Sequence, residues 1–307
     1  MTSAPPIAVA AAPLDRRRVL LRGVGVILIS SLCFGAMAVL VRAASTSMPA
    51  GQIAFIRFLG ALLVLLVLRG GRSLRPVGSV APVLLRGLFG ASAIVLYFHA
   101  IKGAGAGLAT LPHCTYPIWT ALFAVTLIRE RIDLPLLVAI ALCMGGIAVV
   151  VGPGANLSEA ATFGSLCALA ASVLAGGAVT TARQLRKVES ALLVTTYFMA
   201  VGTLFTLPAM FGGLPHISPA LAATLLGVVL TSVAGQYLLH EGLGFAPAIQ
   251  ASLAAATSTV SAAGLEAVWL GERLSAHTLA GAALMVIAVA LAAGRRTVGA
   301  RHAVPLR

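Results

Sequence analysis

The sequence predicts an all-α polytopic membrane protein: ten transmembrane helices arranged as two inverted five-helix repeats. Three observations carry this. The 307 residues are 60% hydrophobic and 9% charged, with a mean hydropathy of +1.04, whereas soluble domains carry about 25% charged residues. Residues 106–133 recur at 248–275 under a shift of 142 positions, so that Ala106 falls on Ala248, Thr115 on Thr257 and Glu130-Arg131 on Glu272-Arg273. Arginine and lysine collect in alternate loops between apolar runs, as the positive-inside rule requires.

Apolar runs of about 20 residues suffice to cross a ~30 Å hydrocarbon core. They are read at 22–42, 50–68, 82–101, 106–127, 134–152, 163–182, 190–211, 220–240, 247–269 and 276–294. Residues 1–21 are expected to be a disordered cytoplasmic tail, 22–152 the first repeat, 163–294 the second and 295–307 a second cytoplasmic tail. The Arg16-Arg17-Arg18 cluster before an apolar run also resembles a twin-arginine signal. Nine further spans favour reading it as the cluster that fixes the first span inside. With that start, Arg69, Arg72, Arg75, Arg86, Arg129, Arg131, Arg183, Arg186 and Lys187 fall inside, and only Arg42, Lys102 and Arg273 outside. Counts of nine or eleven spans would destroy the asymmetry. Five spans per repeat is odd, so the second repeat enters the membrane from the opposite side, the arrangement of many secondary transporters.

The net charge of +13 is spread over these loops, which excludes the clustered footprint of a nucleic-acid binder. The four cysteines lie inside apolar runs without CxxC spacing, so neither a disulfide framework nor a metal site is expected. No HExxH, GxSxG or phosphate-loop motif supports an intramembrane enzyme. The run GAGAG at 103–107 reads as a tight interhelical turn.

Several residues together resemble the EamA branch of the drug/metabolite transporter superfamily. They are Phe34-Gly35, Arg57 in the context IRFLGALLVLL, and the segment from Tyr97-Phe98-His99-Ala100 through Pro117 to Arg129-Glu130-Arg131 and Gly145-Gly146. The second copy keeps Gly271-Glu272-Arg273 but has Thr259 where the first has Pro117. The resemblance implies a ten-helix carrier of small metabolites, similar to the aromatic amino-acid exporters among these proteins.

The expected substrate-binding residues are Arg57, His113, Tyr116, Trp119, Tyr197, Gln236 and Thr257, with Pro117 as a helix break. Arg57 is read as the one charge well inside a span. It either holds a substrate carboxylate or satisfies backbone carbonyls. His113, Tyr116 and Trp119 share a third of a helix circumference, lining a cavity or packing. Pro117 removes a backbone hydrogen bond. Glu130 and Glu272 are read as structural, favouring the starts of the spans that follow. No acid lies at a midplane position, so a facilitator or exchanger is simpler than a carboxylate-based proton antiport. The expectation is a monomeric exporter of amino acids in the cytoplasmic membrane, both termini cytoplasmic, without cofactor or catalytic residue. The alternatives are an efflux carrier of drugs or amphipathic cations and, more remotely, an enzyme or channel.

Overall fold

Proline at the front, an acid next and arginines behind start the first helix earlier than hydropathy predicts. Helix α1 covers Pro13–Ala44, so residues 13–21, expected in a disordered tail, form its first turns. Proline suits a first helical position and arginine a helix interior, and Leu20 anchors this extension at 3% exposure. The computed structural model describes the backbone of residues 13–151, 159–213, 215–270 and 276–294; side chains at 13–16, 101–111, 150–151, 159–162 and 270 lie outside the description. The turn at Gly271-Glu272-Arg273 and the segments 1–12 and 295–307 also lie outside the described residues.

The elements that follow are α2 (Ala50–Leu68), α3 (Ala81–His113), α4 (Tyr116–Ile128), α5 (Leu134–Val151), α6 (Glu159–Leu185) and α7 (Ala191–Thr206). A 3-10 turn over Leu207–Met210 precedes α8 (Pro219–Leu243), α9 (Ala248–Ala256), α10 (Ser258–Leu270) and α11 (Ala276–Gly294). Among the described residues all regular structure is helical. Among the described residues seven helices are long and apolar enough to cross a membrane, and α4 and α5 are shorter apolar helices. The outer faces are apolar: Leu28, Ile29 and Leu32 on α1, Leu63, Leu66 and Val67 on α2, and Ile118, Leu122 and Val125 on α4 are all exposed. Such a surface needs lipid rather than water around it.

Helix α3 is not one straight rod. A straight helix would hold residues 97 and 113 about 24 Å apart, yet the rings of Tyr97 and His113 stack with centroids 4.0 Å apart. The chain therefore reverses between them. The Gly-Ala-Gly-Ala-Gly run lies in that segment with helical backbone.

The packing pattern survives exchange of the two halves. Helix α2 packs on its counterpart α7, and α5 on its counterpart α11. The pair α1–α8 answers to α6–α3, and α1–α10 to α6–α4. Helices α2 and α7 run antiparallel: a Cβ at Gly51 would meet Ala209, and one at Gly202 would meet Phe58. Counterparts that oppose each other in direction are related by an axis lying across the helices. One close approach occurs twice. A Cβ on Gly35 would stand 2.6 Å from the Cβ of Ser261, and one on Gly176 would stand 2.6 Å from the Cβ of Trp119. At both places only glycine lets the backbones meet.

Candidate functional site

The site grows from two broken helices. Each predicted single span, 106–127 and 247–269, is interrupted near its middle: α3 ends at His113 before α4, and α9 ends at Ala256 before α10. The interruptions occupy equivalent positions, Thr115 and Thr257. Thr115 donates its N–H to the Pro112 carbonyl at 3.3 Å and its hydroxyl to the same oxygen at 2.7 Å. Thr257 does the same to Ala254, at 3.3 and 2.7 Å. Bonds to the third residue back tighten the last turn and end the helix. Pro117 sits in the first turn of α4, a favoured place for proline. Since α10 starts without a proline, threonine is the feature that the two breaks share.

A serine from the other half fastens each break. Ser31 on α1 donates to the Ala254 carbonyl at 2.9 Å, and Ser172 on α6 lies 3.0 Å from the Thr115 hydroxyl. The breaks also touch each other. Cys114 Sγ lies 3.1 Å from Thr259 Oγ1, and the Tyr116 hydroxyl donates to the Ser252 carbonyl at 3.1 Å.

Between them opens a cavity of about 740 Å³, within the usual range of small-molecule sites. Arg57, His113, Tyr116 and Gln236 line it, joined by Tyr97, Ser258 and Thr259. Arg57 is 1% exposed and donates Nε–H to Ser232 Oγ at 2.7 Å, while Nη1 and Nη2 have no hydrogen-bond partner. The Gln236 carbonyl oxygen is likewise buried without a partner.

The other expected site residues lie elsewhere. Trp119 packs its backbone on Gly176 of α6 and is not among the described lining residues. Tyr197 packs against Val83, Leu185, Leu193 and Val194. Thr257 shapes the break while its neighbours Ser258 and Thr259 line the cavity.

Arg86 corrects the reading of Arg57 as the one charge inside a span. Assigned to a loop by its position near the start of α3, it is 4% exposed and lines the same cavity. Its guanidinium lies 4.5 Å from the Phe198 ring centroid, and its Nη2 is 2.9 Å from His240 Nε2. His240, fully buried, has its Nδ1 2.7 Å from the Thr195 hydroxyl. The cluster draws on three helices, α3, α7 and α8, which hides it from local pattern.

The two ends of the cavity differ. One reaches the surface at Arg42, whose half-exposed side chain pairs with Glu266 at 2.7 Å. The other stops at Arg86 and Leu239, where cross-helix bonds tie α6 to the end of α8. Arg183 donates to the Leu243 and Gly244 carbonyls at 2.6 and 3.2 Å, and Arg186 to the His240 carbonyl at 2.7 Å. Cations on the last carbonyls complement the helix dipole. Burial lowers the Arg186 pKa, and the Glu241 carboxylate opposes that shift. Glu130 belongs here too. Expected to serve the start of the fifth span, it instead accepts the Ala248 N–H at the front of α9 at 3.0 Å. Asp133 accepts from Leu136 N–H at the start of α5. The reason is the sharp end of α4: Arg129 adopts a left-handed φ of 54°, and Glu130 N–H bonds back to the Ala124 carbonyl, which turns Glu130 toward the other half.

Comparison with known proteins agrees with this architecture. The model of the EamA-like transporter family matches residues 21–152 and again 162–294. The pseudopaline exporter CntI of Pseudomonas aeruginosa is 30% identical over 271 residues, covering 87% of this chain and 94% of that protein. An uncharacterized transporter of Archaeoglobus fulgidus is 27% identical over 274 residues, covering 88% and 96%. A solved crystal structure superposes with a TM-score of 0.74 at 19% identity, covering 87% of this chain and 94% of the other; at that identity it speaks for the fold alone. With both halves matched, the chain belongs to the EamA-like transporter family and is a multi-pass membrane protein.

Proposed function

We propose that this transporter exports small metabolites of the amino-acid type across the cytoplasmic membrane by alternating access, using ten spans in two inverted repeats. One observation carries the reading: a cavity at the crossing of two broken helices holds the buried Arg57 guanidinium, with two nitrogens unpartnered. Broken helices at the junction of inverted repeats are where secondary transporters bind substrate. A carboxylate fits the free face of a guanidinium, which offers paired N–H donors. The α4 and α10 N-termini supply lining residues Tyr116, Ser258 and Thr259, and helix N-termini favour negative charge.

With loop charges setting both termini inside, the open end beside Arg42 faces outward and the end tied by Glu130, Arg183 and Arg186 faces the cytoplasm. Loosening those ties while the outer end closes would complete a cycle. Transport of amphipathic cations is disfavoured by charge: the described lining residues include three arginines and one glutamate, itself held by Arg42.

The test is counterflow in proteoliposomes loaded with amino acids. Saturable exchange that Arg57→Ala abolishes in a folded protein supports the reading. Non-saturating conductance, or unchanged exchange in Arg57→Ala, overturns it.

A further inference from the structure

We infer that the cavity takes a solute with two anionic groups, one held at Arg57 and the other at Arg86, its apolar body lying against Tyr97 and Tyr116. This rests on the transport reading above and names the substrate class of the same site. Both guanidinium groups are tethered at one nitrogen, Arg57 Nε by Ser232 and Arg86 Nη2 by His240. Tethering leaves Arg57 Nη1 and Nη2 and Arg86 Nε and Nη1 buried without partners. At Arg57 the two orphaned nitrogens form the end of the guanidinium fork, the geometry that grips a carboxylate through two parallel bonds; at Arg86 the orphaned Nε–H and Nη1–H point to different sides of the group, and each offers an anion a single charge-assisted bond. Buried donors without partners are costly, and two anionic groups would relieve both sets.

The two stations are fixed relative to each other. Arg57 stands 5.1 Å from the Phe58 ring centroid and Arg86 4.5 Å from that of Phe198. Those rings meet edge to face at 5.4 Å. The cations are thus stacked on different rings of one edge-to-face pair, which presents two stations for anionic groups. The one acid among the described lining residues, Glu266, is held by Arg42 at 2.7 Å, so the cavity presents more cationic than anionic side chains. Tyr97, His113 and Tyr116 form a run of rings across the cavity, which suits an uncharged or aromatic middle section.

The experiment uses the purified full chain and three probes: N-succinyl-phenylalanine and its two mono-amides. Affinity is read from ligand-induced thermal stabilisation, and transport separately from counterflow. The wild type is expected to bind the dicarboxylate at least about tenfold more tightly than either mono-amide, the weight of one charge-assisted bond or more. Arg57→Gln should erase the preference over one mono-amide and Arg86→Gln the preference over the other. Equal binding of all three probes by the wild type overturns the inference, as does no binding of any. Neither outcome depends on a variant folding. Arg86→Gln that keeps both preferences also overturns it. Saturable phenylalanine counterflow without a dicarboxylate preference would remove the second station and leave the transport reading standing. The preference without counterflow would do the reverse.

Discussion

Arg86 Nη2 lies 2.9 Å from His240 Nε2, and this contact fixes the histidine's tautomer. Arginine has only donors, so Nε2 must accept. The Thr195 hydroxyl already points its hydrogen at the Ala191 carbonyl, 2.7 Å away, so His240 Nδ1–H must donate to Thr195. Nitrogen NMR of histidine-labelled protein should therefore show His240 protonated at Nδ1 and bare at Nε2. His240→Ala strips Arg86 of its acceptor and should cost about 1–3 kcal/mol of thermal stability. His240→Gln, which keeps an acceptor, should cost less. Equal losses would show that Arg86 does not depend on the imidazole.

Thr115 and Thr257 are expected to be interchangeable in effect. Valine at either site keeps the shape but loses the hydroxyl bond to the third residue back, at a cost of about 0.5–1.5 kcal/mol. Thermal melts should rank Thr115→Val with Thr257→Val, and both serine variants near the wild type. If only Thr257→Val is destabilised, Pro112 and Pro117 rather than Thr115 set the first break.

Glu130→Ala removes the carboxylate from the front of α9. Losing such a cap costs about 0.5–2 kcal/mol, enough to raise the population with this end open by about 2- to 30-fold. A cysteine placed at Leu243, fully buried here, in a background lacking the native cysteines, should react faster with a maleimide when Glu130 is Ala. Unchanged labelling would remove Glu130 from the closed end.

Gly35→Ala and Gly176→Ala each push a methyl group against backbone and Cβ atoms at 2.6–2.9 Å. Overpacking of this kind costs about 1–3 kcal/mol. Both variants should melt lower by similar amounts, since both serve the same contact in opposite halves.

The Arg42–Glu266 pair should matter little to stability. With side chains 50% and 24% exposed, it is worth at most about 1 kcal/mol, so Glu266→Gln should melt close to the wild type. A large loss would mean that the pair seals the cavity mouth.

The repeat and the charge of Arg57 inside an apolar run are legible because each is a local or periodic signal. Thr115 falling on Thr257 was also visible, but its meaning was not. Hydropathy measures how apolar a segment is, and a helix broken by two hydrogen bonds is as apolar as an unbroken one. Pro117 drew attention as a known breaker, while α10 starts without a proline. Arg86 was misread because a cation near the start of a span ordinarily marks orientation. What buries it is Phe198 and His240, the latter 154 positions away. Two further registers lie in the sequence: at a shift of 141, Ser31 falls on Ser172 and Gly35 on Gly176.

That serine pair has a consequence for how the chain can be divided. Ser31 holds the interruption in the second half, and Ser172 holds the one in the first. Neither half carries the latch for its own hinge. A single half made alone would keep its hinge unlatched unless two copies met head to tail across the membrane. The linked chain is therefore a fused antiparallel dimer in mechanical terms. Co-expression of the two halves as separate chains should restore what neither can do by itself.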